Sequence, residues 1–130
     1  MHDIIFYEDK NGHCPFLAFT GELTQKNDQR SRTLAKSIFL KLTQLKQNGT
    51  MDGMPNFEYI QDSKYPLWQI RIKHVTGTYR VFFCPWEGKY VILNHFIKKS
   101  KKTPKKEIRK AERWMDDFIK RQKRGYQKDG

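Results

Sequence analysis

The apolar positions of this 130-residue chain change period along its length, and each change marks an element. Asp3 to Tyr7 is a short apolar run that reads as a first strand, followed by the turn signal Asn11-Gly12. Pro15 suits the first turn of a helix, where its missing N–H costs nothing, and Phe16, Leu17, Phe19 and Leu23 continue that helix. From Asp28 to Asn48 the period becomes helical. Leu34, Ile38, Leu42 and Leu45 recur at spacings of four, four and three, with Ala35 and Phe39 beside them. Asp28 is placed to cap this helix, and Gly49 to end it in a left-handed conformation. Thr50 to Asn56 holds two glycines and a proline and predicts a loop.

Beyond that loop the period falls to two. Phe57 to Ile60, Leu67 to His74, Thr78 to Cys84 and Lys89 to Ile97 predict four strands, with a turn at Val75 to Thr78 and connections short enough for antiparallel hairpins. Successive strand residues point to opposite faces. Trp68, Ile70, Ile72 and His74 therefore share one face, and Gln69, Arg71 and Lys73 the other; Thr78, Arg80, Phe82 and Cys84 likewise fall together. Thr103-Pro104 reads as a cap and first turn, and Ile108, Ala111, Met115 and Phe118 form the apolar stripe of a last helix with Trp114 off the stripe. After Lys120 the periodicity stops, which predicts one domain over 1–119 and a basic, frayed tail over 120–130. The class is α+β: a twisted antiparallel sheet with two N-terminal helices packed on it and a C-terminal helix.

Charge changes this picture. Lys and Arg number 26 against 14 Asp and Glu, a formal net charge of +12. From Lys98 to Gly130 there are fourteen basic and five acidic residues, so most of the excess sits in the last quarter of the chain. Such a patch is the electrostatic footprint of a nucleic-acid or acidic partner. No apolar run approaches the roughly 20 residues that span a bilayer, and the N-terminus lacks the pattern of a secretory signal. A cytoplasmic protein is expected, with Cys14 and Cys84 as free thiols.

A hairpin would bring Arg71, Lys73 and Arg80 to one surface, with Lys98 and Lys99 following the next strand. Cations of this kind bind phosphate, and an exposed aromatic such as Phe82 stacks on splayed bases. The set is sufficient for RNA cleavage without a metal or other cofactor. The 2′-OH attacks the neighbouring phosphorus, arginines neutralise the developing charge, and a lysine crowded by other cations, or His95, moves protons. No Cys-x-x-Cys or His-Glu-x-x-His spacing suggests a metal site, and no Gly-x-x-x-x-Gly-Lys loop suggests a nucleotide site. Lys101, Lys102, Lys105 and Lys106 add cations for RNA or ribosome binding.

Three stretches carry a resemblance: Leu67-Trp68-Gln69-Ile70-Arg71; Gly77-Thr78-Tyr79-Arg80-Val81-Phe82-Phe83; and His95-Phe96-Ile97-Lys98-Lys99-Ser100-Lys101-Lys102-Thr103-Pro104, with Glu107-Ile108 and Ala111 beyond. In order and spacing the chain resembles the HigB-like branch of the RelE/ParE toxin superfamily, over nearly the whole domain to about Ile119. The resemblance implies a type II toxin that cleaves mRNA in the ribosomal A site. It further implies neutralisation by a helix-turn-helix antitoxin, with DNA reached only through that partner. It assigns Arg71, Lys73, Arg80, Lys98 and Lys99 to basic positions of the family site, whereas Gln69 stands where better-known RelE members carry lysine. Two other readings compete: a ParE-type gyrase poison without enzymatic activity, and a basic RNA-binding module.

Overall fold

A computed structural model describes residues 2–50, 56–75, 77–98 and 104–129, the stretch 124–129 as backbone only. Its elements are β1 (Asp3–Phe6), α1 (Pro15–Gln25), α2 (Gln29–Asn48), β2 (Phe57–Tyr59), β3 (Trp68–His74), β4 (Gly77–Trp86), β5 (Lys89–Lys98) and α3 (Lys105–Asp129). The loop over 51–55, the centre of the turn at Thr76 and the Thr103 cap lie outside the described residues.

The five strands form one sheet in the order β1-β5-β4-β3-β2. The four strands from β2 to β5 are antiparallel, as expected, but β1 lies parallel to β5, so the sheet is mixed. A parallel pair needs a long crossover, and everything between β1 and β5 supplies it.

The α2 stripe is buried at Leu34, Ile38 and Leu45. The Asp28 carboxylate accepts hydrogen bonds from the Ser31 N–H (2.8 Å) and hydroxyl (3.0 Å), and the former above all holds its pKa down. Gly49 ends the helix at φ +67°, its N–H bonded to the Leu45 carbonyl; a Cβ there would sit 2.8 Å from the Tyr90 hydroxyl. Both demands select glycine.

Helices cover both sides of the sheet. On one side α1 and α2 enclose Ile70, Ile72, Tyr79, Val81, Phe83 and Ile92. On the other α3 packs through Ile108, Ala111, Met115 and Phe118 onto Phe82, Cys84, Val91 and Leu93. The face expected to carry cations is thus half core. Helix α3 also continues to Asp129, where the loss of apolar spacing predicted a frayed end. Lys, Arg and Gln are good helix formers, and adding a residue to an existing helix gains a hydrogen bond without a new nucleus. Among the described residues no helix is long and apolar enough to cross a membrane.

Candidate functional site

Arg71 and Arg80 are direct partners across the β3–β4 ladder. Like charges placed opposite one another destabilise a sheet, so the pair needs compensation. Two side chains supply part of it. The Gln69 carbonyl oxygen accepts from the Arg80 guanidinium at 2.9 Å, both residues being buried. Glu58 on β2 pairs with Arg71 at 3.3 Å, and both of these are partly exposed. Among the described residues, the Nε atoms of Arg71 and Arg80 are shielded from solvent and have no acceptor.

Lys98 joins the group from β5. Its side chain lies diagonal to Arg80, since Arg80 faces Phe96 and Thr78 faces Lys98. Burial, then the nearby Arg80 and Arg71, push its ammonium below the usual lysine range, while Glu58 acts in the opposite direction. Burial, then Arg71, also lower Arg80.

What brings Lys98 here is an irregularity. Val81 faces His95 but Phe83 faces Ile92, so Phe82 is opposed by both Leu93 and Asn94. This is a β-bulge, and it reverses the faces of the residues after it. Before it, Val91 and Leu93 point to α3; after it, Phe96 does, packed edge-on against Phe82 at 5.1 Å. Lys98 follows Phe96 by two residues and shares its face.

The same reversal removes His95 from the site. His95 stacks on Phe19 (4.6 Å) and meets Phe16 and Tyr79 at 5.8 Å, all on the α1 side. Burial lowers its pKa, and it bonds the Pro15 backbone. It stands across the sheet from the arginines, so the proton-transfer role expected of it is corrected. Phe82 is also corrected: it is fully buried beneath α3 and presents no ring to a base.

Lys73 lies exposed at the end of β3, at the rim of the cluster, and lines a separate depression of about 370 Å³ with Gln29, Arg30 and His74. Lys105 and Lys106 are exposed on the first turn of α3. Lys105 and Arg109 line a cavity of about 390 Å³ whose other wall includes Glu58, Tyr59 and Gln69, so it opens beside the arginine pair. Lys99, Lys101 and Lys102 lie outside the described residues. Among the described residues no three His, Cys, Asp or Glu side chains gather in a way that could hold a metal ion.

Sequence reasoning missed Glu58 as an acid on the cationic face. Its signal was present: in the strand Phe57–Tyr59 the residue flanked by two aromatics points opposite to them.

Fold and site define a small α+β domain of the RelE-like kind, with three helices, a five-stranded mixed sheet and a basic cluster on that sheet among the described residues. The profile of the phage-derived protein Gp49-like family (DUF891) matches residues 26–116, and the chain belongs to that family, which is of the RelE/HigB-like, toxin–antitoxin type. No match was found among curated proteins.

Proposed function

We propose that this chain is the toxin of a type II toxin–antitoxin pair and acts as a ribosome-dependent endoribonuclease. The observation that carries the reading is the convergence of Arg71, Arg80 and Lys98 on one sheet face with Glu58 as the neighbouring carboxylate. A phosphate arriving there meets two guanidinium forks and displaces Glu58 from Arg71. The freed carboxylate takes the proton of the RNA 2′-OH as the new O–P bond forms. The bond to the 5′-oxygen breaks, and the Lys98 ammonium protonates that oxygen. A lysine with a lowered pKa is the stronger acid, which suits it to this step. The arginines hold charge that grows on the non-bridging oxygens, the kind of stabilisation that dominates in preorganised sites.

A helix-turn-helix antitoxin is the partner this reading requires, and its gene is expected beside this one. The decisive experiment is cleavage of a defined mRNA on purified ribosomes. Arg80→Ala and Arg71→Ala are expected to lower the rate by roughly 10²–10³-fold, the usual cost of losing one charge stabiliser, with circular dichroism unchanged. Full activity in both variants would exclude this site. If induction arrests growth while methionine incorporation continues, the gyrase-poison reading replaces this one.

A further inference from the structure

We infer that Asn94 and Glu107 are positioning residues that set which side chain of β5 enters the basic cluster; the inference rests on the reading of Lys98 as a site residue. In an unbroken β5 the residues Val91, Leu93, His95 and Ile97 would share the α3 face, and Lys98 would point away from Arg80. The bulge opposite Phe82 exchanges these sets. It puts Lys98 in place of Ile97 and sends His95 to α1.

One side chain is built to hold that bulge. Leu93 and Asn94 are consecutive, yet both reach α3: Leu93 packs in the core beneath it, and the Asn94 amide donates to the Glu107 carbonyl and to Glu107 Oε1, each at 3.0 Å. Both partners are buried, Asn94 to 2% and Glu107 to 8% residual exposure. A buried asparagine and carboxylate are costly unless bonded. Their bond ties the extra residue of β5 to the first turn of α3. Lys110 balances Glu107 from 3.7 Å on the same helix.

A structural role alone would not single out Lys98, so the test reads Lys98 itself. The full chain, labelled at lysine Cε, is titrated by NMR, with Lys98→Arg assigning the signal. In the parent protein burial first, then Arg80 and Arg71, hold the Lys98 ammonium below the ordinary lysine range, with Glu58 acting in the opposite direction. Asn94→Leu removes both bonds while keeping bulk. The expected result is native circular dichroism, disappearance of the Val81–His95 cross-strand pairing, and a Lys98 titration that rises toward the ordinary lysine value. Glu107→Gln keeps its acceptor oxygen and is expected to leave both readouts unchanged. An Asn94→Leu protein that retains the Val81–His95 pairing and the low Lys98 titration overturns the inference. If that variant does not fold, Asn94→Ala, which also removes both bonds, takes its place, and an unmoved Lys98 titration there overturns it equally. None of these readouts needs RNA. A variant in which Lys98 rises but ribosomal cleavage is undiminished would support the positioning inference and remove Lys98 from the reaction.

Discussion

At the scale of single residues, burial separates site from scaffold. Phe82 and Arg80 are both on the α3 side of β4, two residues apart. Phe82 lies under the helix, and Arg80 lies beyond it beside Arg71. Removing the Phe82 ring leaves a cavity, and Phe82→Ala is expected to cost about 3–5 kcal/mol of stability. Thermal or denaturant unfolding measures that cost, while the cleavage rate per folded molecule is expected to stay near the parent's. A selective loss of RNA affinity at full stability would return Phe82 to the binding surface. Its position was legible in part. The run Val81-Phe82-Phe83-Cys84 is apolar on both faces, as is Tyr90-Val91-Ile92-Leu93. Continuous apolar runs mark strands buried on both sides, and that signal contradicted an exposed Phe82. Arg71 and Arg80 followed from alternation alone and are brought together as alternation implies. Lys98 was read as following the last strand and again from the resemblance, but its face was not legible, because no periodicity announces a bulge.

At the scale of elements, α3 is held by ionisable groups as well as by its apolar stripe. The Tyr7 hydroxyl donates to Asp117 at 2.7 Å, Tyr65 donates to Asp116, and the Lys64 N–H donates to Glu112 at 2.7 Å. The bond from Tyr65 comes first in lowering Asp116, and the bond from Tyr7 in lowering Asp117. Burial opposes ionisation of Glu112, yet Lys64, Arg109 and Ser63 together keep it low. Groups depressed in the folded state contribute stability above their unfolded pKa and lose it as pH falls through the folded one. The contribution is therefore expected to be full at neutral pH and to fade from the ordinary carboxylate range downward. Melting temperature followed from pH 7 to pH 3 is expected to fall, and the triple variant Glu112→Gln, Asp116→Asn, Asp117→Asn to show a flatter profile. An identical slope in parent and variant would mean these bonds add nothing to docking. Sequence patterning found α3 and its buried stripe correctly, because 3.6-residue periodicity is local. The parallel pairing of β1 with β5 was not legible, since partner and direction depend on contacts between distant segments.

At the scale of the whole molecule, the proposed function gives net charge the encounter and the cluster the chemistry. With a net charge of +12, association with an RNA-rich particle is expected to weaken steeply with salt. Lys105 lines the cavity beside the arginine pair, and Lys106 is exposed next to it on the first turn of α3. Replacing both with Gln is expected to flatten the log–log salt dependence by about 0.7–0.9 for each phosphate that is no longer neutralised. An unchanged slope would make them merely solvated.

The ends of the cut RNA report the nucleophile directly. In the proposed step Arg71, Arg80 and Lys98 supply positive charge and an acid, and Glu58 a proton acceptor. There these groups hold charge and move protons, and the attacking oxygen is the RNA's own 2′-OH. The upstream fragment is then expected to end in a 2′,3′-cyclic phosphate or 3′-phosphate, and the downstream fragment in a 5′-hydroxyl. Replacing the 2′-OH with hydrogen or O-methyl at the scissile nucleotide is expected to abolish cleavage while leaving ribosome binding intact. Ribosomes need magnesium for their own integrity, so end chemistry is a cleaner readout than chelation. Recovery of 3′-hydroxyl and 5′-phosphate ends would require attack by water from the opposite side of the phosphorus. Glu58 and Lys98 would then have to exchange the roles their charges suit them for, and the mechanism proposed for this face would fail.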